Sequence, residues 1–222
     1  MLKNVSLEIK PGEKIGIVGR TGAGKSTMVS CLERILDAVE GRILIDGEDI
    51  KDYNIKALRS CITMIEQEPT LVRTSFKENL DPSGRYTEEE INAILEQCNL
   101  KETIEEKGGL ESTVSNDSLS VGEKQLFCIC RAFLKNSKII LIDEATANID
   151  MKNDSLIQEV IQGKFTQSTV LTIAHRLSTL KNSDKILVLG EGEVVEWGTP
   201  EELLKKEGGI YKGMLDAVEN VD

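Results

Sequence analysis

The stretch Gly19–Thr27, which reads GRTGAGKST, decides the fold of this chain. It follows a short apolar run containing Ile15, Ile17 and Val18, which predicts a buried strand. A helical pattern opens after it, at Met28. The order strand, glycine-rich turn and helix is the context in which G-x-x-x-x-G-K-[ST] predicts a phosphate-binding loop. The alternative, a chance match in a glycine-containing turn, does not explain the strand and the helix on either side.

The residue types in this loop suit the binding of a triphosphate. Its glycines permit backbone angles that a Cβ would penalise, so that successive N–H groups can point at phosphate oxygens. The helix that follows adds the positive end of its dipole. Lys25 can neutralise the β and γ phosphates, and Ser26 offers a hydroxyl to Mg²⁺. The predicted nucleotide-binding residues are Gly19, Thr21, Gly22, Ala23, Gly24, Lys25, Ser26 and Thr27.

A second candidate is the apolar run KIILIDE, residues 138–144, which ends in two carboxylates. In phosphate-loop enzymes a strand beside the loop ends in an Asp that holds Mg²⁺, and Asp143 fits that place. Glu144, one residue further on, is suited to orient or deprotonate a water aimed at the γ-phosphate. Taken alone, two acids at a strand end are more often simply solvated. In a chain that also carries the loop, the catalytic interpretation is favoured.

Two further features are ambiguous on local grounds. Ser120 and Gly122 stand where a helix begins, which is equally consistent with an anion-binding helix terminus and with a simple N-cap. His175, the single histidine, follows the predicted strand 170–173. A lone histidine after a strand is more often a packing or surface residue. Its expected position at the same sheet edge as the other sites favours a role in the site.

Composition limits the classes of function. The 222 residues suffice for one large α/β domain, or for one with an inserted subdomain. With 27 basic and 38 acidic residues the net charge is −11, which argues against nucleic acid as the main partner. The five cysteines lack paired metal-ligand spacing, so we expect reduced packing residues of a cytosolic protein. No apolar run is long enough to span a bilayer.

The order of patterns predicts an α/β core with a helical insert. Residues 2–10 alternate like an amphipathic strand, and the helix from Lys25 is predicted to end near Glu40-Gly41. A hairpin turning at Asp46-Gly47 forms a small antiparallel β subdomain. We expect residues 1–67 and 137–222 to form the core and residues 68–136 to form the helical subdomain. Within the subdomain, helices are predicted over 88–98, capped by Thr87 and with Ile91, Ile94, Leu95 and Cys98 on one face, and over 121–135. In the core, further helices are predicted over 54–59, 155–162, 200–206 and 210–218, and further strands over 61–65, 139–142, 186–189 and 194–197.

At this point the chain resembles a known family. The segments that carry the resemblance are, in chain order, GRTGAGKST, Gln67, LSVGEKQ, LIDEAT, ANID and TIAHR. Together they are similar to the nucleotide-binding domain of an ABC transporter, and the resemblance runs from residue 2 to about residue 215. It implies a P-loop NTPase fold that binds ATP and Mg²⁺.

The resemblance also implies roles for single residues. Gln67 would sense Mg²⁺ and the attacking water, and Glu144 would be the catalytic base. His175 would be the switch residue on the γ-phosphate, with Asp150 in a loop that crosses the dimer interface. The implied catalytic set is Glu144, His175, Lys25 and Gln67; the implied metal set is Ser26, Gln67 and Asp143; and Ser120 with Gly122 would complete the ATP site of a partner domain.

Finer features resemble one branch of the family. NLDPSGRYTEEEI, LSVGE and TVLTIAHRLSTL are similar to the second nucleotide-binding domain of C-subfamily (multidrug-resistance-associated) exporters. The chain departs from the family pattern at several positions. No aromatic residue that could stack on adenine precedes Tyr53, and Glu123 stands where LSGGQ has Gln. We therefore expect a fragment of a longer membrane transporter, lying at the cytoplasmic face of the membrane.

The function that these features predict is Mg²⁺-dependent ATP hydrolysis that powers export of a small molecule or conjugate. The expected partners are a second nucleotide-binding domain, in a head-to-tail sandwich, and transmembrane domains; nucleic acid is not expected. Two alternatives remain: an ATP-binding regulatory module with little turnover, and a soluble ABC ATPase of DNA repair or translation. The transported substrate is chosen by membrane helices outside this chain, so the sequence does not name it.

Overall fold

The computed structural model covers the 222-residue chain. The described residues are 2–67, 69–115, 118–143, 157, 159–161, 163, 165–174, 177–180 and 182–219. The chain divides into two compact units. The first comprises Met1–Thr63, Lys138–Leu141 and Gln167–Asp222, and the second comprises Met64–Ser137 and Ile142–Thr166.

A mixed β-sheet supports the phosphate loop. Its strands are β1 (Lys14–Val18), β4 (Ile62–Ile65), β5 (Ile139–Asp143), β6 (Thr169–Ile173), β7 (Lys185–Gly190) and β8 (Glu193–Gly198), in the spatial order β4-β5-β6-β1-β7-β8. β1 runs parallel to both of its neighbours, with Ile17 opposite Ile173 on β6 and Leu187 on β7. β8 closes the sheet as an antiparallel edge strand. The α/β fold and the strands that the apolar runs predicted are confirmed.

One hydrophobic cluster of the first unit joins this sheet to the last two helices, α7 (Pro200–Lys205) and α8 (Ile210–Glu219). Val18, Ile186 and Val188 from the strands pack with Leu203 and Tyr211 from the helices. The burial along β1 and β7 is continuous, as expected of strands covered on both faces, and it includes the strand that leads into the phosphate loop. Both short helices match the sequence prediction.

Helix α1 (Lys25–Leu32) is shorter than predicted, so the expectation of a helix reaching Glu40-Gly41 is wrong. Arg34 adopts a left-handed backbone, with φ of 50°, and its guanidinium donates to two carbonyls of the neighbouring loop, Ile50 O at 3.0 Å and Tyr53 O at 2.9 Å. These bonds favour a turn over another helical turn. The apolar periodicity that suggested a longer helix has no surface to pack on, since Ile35 is 62% exposed.

The segment 2–10 is not a strand, so the prediction of an amphipathic strand there is wrong. Alternation favours a strand only where a neighbouring strand supplies hydrogen bonds. Lys3 N–H does donate to Gly192 O at 2.7 Å, but the left-handed backbone of Asn4, with φ of 51°, interrupts any extended run.

The predicted hairpin is present as β2 (Leu44–Ile45) and β3 (Glu48–Asp49), which pair antiparallel. Both turn residues have positive φ, 52° at Asp46 and 86° at Gly47, as a type I′ turn requires. Helix α2 (Ile55–Cys61) follows, and the Asn54 side chain caps it. This part of the chain matches its sequence prediction.

The second unit is built on α6 (Val121–Lys135), with α3 (Phe76–Leu80), α4 (Glu88–Gln97) and α5 (Lys101–Glu106). α3 and α4 pack on α6, where Phe76 meets Phe127 edge-on with ring centroids 5.7 Å apart. Ile91 and Leu95 of α4 are fully buried, as the i, i+4 spacing predicted. Of a predicted helix over 155–162, residues 157 and 159–161 are helical and the others lie outside the described residues.

Candidate nucleotide site

The phosphate loop joins β1 to α1 in the first unit, as predicted. Gly24 is the N-cap of α1 and has a φ of 107° that only glycine adopts without strain. Inside the loop Ala23 N–H donates to Arg20 O at 3.0 Å. The turn between β7 and β8 then fixes the loop from outside, because Gly192 N–H donates to Ala23 O at 3.1 Å. The loop is therefore anchored at both ends and in its middle.

Lys25 places its ammonium inside this loop. The side chain is only 8% exposed, and Nζ lies 2.6 Å from Gly19 O and 3.3 Å from Arg20 O. Among the ion pairs of the described residues, none involves Lys25, so neutral carbonyl dipoles are the hydrogen-bonding partners seen for this buried charge. A cation held in this way can exchange carbonyl oxygens for the stronger charge of a phosphate.

The start of α1 is built for an anion. Gly24 has no side chain to cap the helix, and the first turn carries no acidic residue. The amides of this turn therefore lack the capping carboxylate or hydroxyl that other helices of the chain possess. Ser26 is exposed at this end and Thr27 is half-buried. The backbone and Lys25 thus fit a phosphate group, and Ser26 fits the hydroxyl ligand of a hydrated Mg²⁺.

Close approach of two backbones explains the first glycine of the loop. A Cβ added at Gly19 would lie 2.4 Å from Leu189 O, a main-chain atom of β7. By contrast, a Cβ at Gly22 would meet nothing within 4 Å, so its need for glycine comes from its φ of 82° alone.

In the second unit, Gln67 is exposed just after β4, and its main chain is attached to α6. The Gln125 side-chain amide donates to Glu66 O at 2.9 Å and to Gln67 O at 2.8 Å. Asp143 is the half-buried last residue of β5. Sequence reasoning assigned no role to Gln125, although it stands within the quoted LSVGEKQ segment, because spacing alone does not reveal a partner 58 residues away.

Ser120 is the N-cap of α6, so the simpler of its two predicted roles is present. Its hydroxyl accepts from Glu123 N–H at 3.3 Å, and the Glu123 carboxylate accepts from Ser120 N–H at 2.7 Å, a reciprocal capping box. Ser120 is exposed and Gly122 is buried. Glu123, which departs from the LSGGQ pattern, therefore has its charge engaged by the helix terminus that it caps. Anion binding at this end stays a prediction.

Three predicted site residues, Glu144, Asp150 and His175, lie outside the described residues. Their roles stay predictions. Within the part of the chain that the structure describes, no group of three or more His, Cys, Asp or Glu is arranged to hold a metal ion.

All five cysteines are free thiols, as predicted. Cys128 and Cys130 lie two apart on α6 and differ in burial, Cys130 being fully buried. A hydrogen bond with Cys98, followed by burial, raises the pKa of Cys130 well above the usual thiol value. Burial also raises the pKa of Cys128. Both thiols are thus kept protonated and unreactive, which suits packing residues.

Comparison with known proteins identifies the family of this arrangement. Residues 2–147 match the sequence profile of the ABC transporter family. The chain belongs to the ABC transporter family. The chain is 47% identical to ATP-binding cassette sub-family C member 2 of Rattus norvegicus over 226 residues, which cover 100% of the chain and 15% of that protein. It is 42% identical to Bile pigment transporter 1 of Saccharomyces cerevisiae, covering 97% of the chain and 15% of that protein.

A solved structure agrees with the sequence matches. The chain superposes on a bacterial Atm1-family ABC exporter with ATP bound, with a TM-score of 0.89 and 34% identity, over 97% of the chain and 38% of the exporter chain. The predicted resemblance to C-subfamily nucleotide-binding domains, the ATPase domains of ABC exporters, is confirmed. The chain spans about a seventh of the length of the curated relatives that it matches (15% for the rat protein). No helix among the described ABC-domain residues is long and apolar enough to cross a membrane.

Proposed function

We propose that this ABC domain binds and hydrolyses ATP with Mg²⁺ and that hydrolysis powers export across a membrane. The observation that carries the proposal is the buried ammonium of Lys25, held by carbonyls of the loop in front of an uncapped helix terminus. A buried cation with no carboxylate partner is costly in a folded protein unless an anionic ligand compensates it. The triphosphate of ATP is that ligand.

The chemistry is divided among few residues. Lys25 and the amides of the first turn of α1 hold the β and γ phosphates. Ser26, Gln67 and Asp143 are proposed to hold Mg²⁺, which when bound spreads the charge of the phosphates. Glu144 accepts the proton of the attacking water, and His175 contacts the γ-phosphate. The loop would also position the reactants, which lowers the entropic part of the barrier.

A second domain completes the reaction. Ser120 and Gly122 are proposed to close the ATP site of a partner nucleotide-binding domain, so that two domains enclose two ATP molecules head to tail. Asp150 belongs to the loop that crosses this interface. Support comes from the exposed hydroxyl of Ser120 at the start of α6. We propose membrane-spanning partners as well, because the relatives are named as transporters and exporters. The domain then acts at the cytoplasmic face of a membrane.

The proposal is tested by removing the charge of Lys25. Lys25→Met is expected to weaken ATP binding about 10- to 100-fold, since hydrogen bonds to charged groups are lost, and to lower turnover accordingly. Binding is measured with a fluorescent ATP analogue, and turnover by phosphate release from the full-length gene product with and without Mg²⁺.

Lys56→Met is the matched control, because Lys56 is exposed on α2 in the same unit. It should leave ATP affinity unchanged. An unaltered affinity of Lys25→Met for ATP would contradict the proposal. So would a rate of wild-type turnover that does not change when Mg²⁺ is removed. ATP binding with no turnover in the wild type would favour the regulatory-module alternative instead.

A further inference from the structure

Gln125 is a buried amide with half of its hydrogen-bonding capacity used. The side chain is 1% exposed, one turn inside α6. Its Nε2 donates to two consecutive main-chain carbonyls, Glu66 O at 2.9 Å and Gln67 O at 2.8 Å. Among the described residues, no partner is found for its Oε1, which is also buried. A fully buried polar group with an orphan acceptor is unfavourable in a helix that is otherwise apolar on this face.

The orientation of the amide follows from chemistry. Two carbonyl oxygens converge on one end of the side chain, and only the NH₂ group carries hydrogens for both. A flipped amide would place its own oxygen against two other oxygens. The Gln125 amide is therefore fixed as a double donor, and a residue with one or no N–H cannot replace it.

These two bonds restrain the main chain from which the Gln67 side chain extends. Gln67 follows β4, and its side chain is exposed. Pinning the carbonyls of residues 66 and 67 to α6 restricts the backbone on which the Gln67 side chain moves. A supporting partner of this kind commonly tunes a metal ligand without touching the metal.

We infer that Gln125 is a positioning residue for Gln67, and that its amide sets how well the domain engages Mg²⁺ and the attacking water. The inference rests on the proposed function, in which Gln67 meets the metal. It assigns Gln125 no contact with ATP. Gln125 acts through the main chain of residues 66 and 67 alone.

The test compares Gln125→Leu with the wild type in the full-length gene product. The substitution keeps the approximate volume and removes both donors. We expect kcat to fall about 10-fold and the Mg²⁺ concentration for half-maximal turnover to rise by a similar factor, as is usual for supporting partners of metal ligands. The Kd for ATP should stay within about 2-fold, since Gln125 is assigned no contact with ATP and the loop of Lys25 is left unchanged.

A double-mutant cycle with Gln67→Ala separates positioning from a general loss of structure. If Gln125 acts through Gln67, then Gln125→Leu should have little further effect on kcat once Gln67 is alanine. Gln97→Leu is the control for the chemical change, because Gln97 is exposed on α4 of the same unit. It should leave kcat and the Mg²⁺ requirement unchanged. Full additivity of the two losses would overturn the inference.

Gln125→Glu tests the same bonds in a side chain of equal size. Its carboxylate would face two carbonyl oxygens, whereas its protonated form can donate one hydrogen bond. The kcat of this variant, relative to the wild type at each pH, should rise as the pH falls, while that of Gln125→Leu should not. Unchanged kcat in Gln125→Glu at every pH would also overturn the inference.

Hydrogen exchange distinguishes failure of this inference from failure of the proposed function. Peptides that cover residues 62–72 should exchange faster in Gln125→Leu than in the wild type, whether or not the protein hydrolyses ATP. Faster exchange in Gln125→Leu, combined with a wild type that shows no ATP turnover, would uphold the bonds from Gln125 to residues 66 and 67 and refute the proposed function. Unchanged exchange in Gln125→Leu would show that the bonds from Gln125 do not restrain residues 66 and 67, and would refute the inference.

Discussion

At the residue scale, Gly19 shows how two backbones that approach closely leave room for a single amino acid. A Cβ there would lie 2.4 Å from Leu189 O, a strand atom that cannot rotate away. Gly19→Ala is therefore expected to destabilise the fold by about 1–3 kcal/mol, the usual cost of inserting a methyl group into filled space. The free energy of unfolding from urea titration measures this cost.

Gly213→Ala gives the matched control, since a Cβ at this position of α8 meets nothing within 4 Å. An alanine in a helix interior should raise the free energy of unfolding by about 0.5–1 kcal/mol. Equal behaviour of the two variants would contradict the steric explanation.

Glu196 on β8 is a second residue whose role only the structure reveals. It is 4% exposed, and its carboxylate accepts from Ile210 N–H at 3.0 Å and from Tyr211 N–H at 2.9 Å, at the start of α8. Lys206 Nζ lies 3.1 Å away. Burial opposes ionisation of Glu196, but these amides and the ammonium outweigh it and lower its pKa below the usual 4.5.

This pKa shift predicts a pH-dependent stability. The folded-state pKa of Glu196 lies below its unfolded value. The ionised carboxylate therefore contributes its full share to the free energy of unfolding above about pH 4.5, and this share is lost as the pH falls through the folded-state pKa. Glu196→Gln should lower the free energy of unfolding by about 1–2 kcal/mol near neutrality, where charge-assisted bonds are lost. The gap to the wild type should narrow in acid. A gap that is constant with pH in urea titrations would contradict this account.

At the element scale, capping explains where four of the described helices begin. Reciprocal capping boxes open α3, α4, α6 and α7. Such caps are legible in a sequence, since a hydroxyl residue is followed three positions later by Glu. This is why the starts of α4 and α6 were predicted from Thr87 and Ser120. α1 and α5 lack a capping side chain, and of these two only α1 begins with the glycine-rich loop that is proposed to hold a phosphate.

Two of these caps allow the helix role of Ser120 to be separated from its proposed role at the partner's ATP site. Ser120→Ala and Thr87→Ala should each cost about 1 kcal/mol of stability, because each removes one capping hydroxyl. Only Ser120→Ala should weaken ATP-driven dimerisation, measured by light scattering with a hydrolysis-deficient background. Equal dimerisation in both variants would mean that Ser120 caps α6 and has no role at the partner's ATP site.

The errors of sequence prediction also lie at the element scale. Apolar spacing predicted too long a helix after Lys25, because periodicity does not register that Arg34 turns the chain toward the carbonyls of Ile50 and Tyr53. Alternation over residues 2–10 predicted a strand without supplying a neighbour for it. In both cases long-range partners overrode the local pattern. The phosphate loop was predictable because its function requires local glycines, whereas Gln125 was not, since its partners lie in another element.

At the scale of the whole molecule, the first unit carries the glycine-rich loop with Lys25, and the second unit carries Ser120 and Gly122, which are proposed to close the ATP site of a partner domain. The family membership and the fold are established by sequence and structural similarity over nearly the whole chain. Export, the partner domain and the membrane-spanning partners remain proposals, because the chain spans only 15% of its rat relative. The net charge of −11 argues against nucleic acid as the main partner of this domain.

The most direct test of the central claim is steady-state ATP turnover by the full-length gene product, with Glu144→Gln compared with the wild type. The substitution removes the proposed base and keeps the side chain's size. We predict that turnover falls about 100-fold or more, the usual contribution of a general base, while ATP binding is retained. Turnover that is unchanged in Glu144→Gln would contradict the claim that this domain hydrolyses ATP through Glu144.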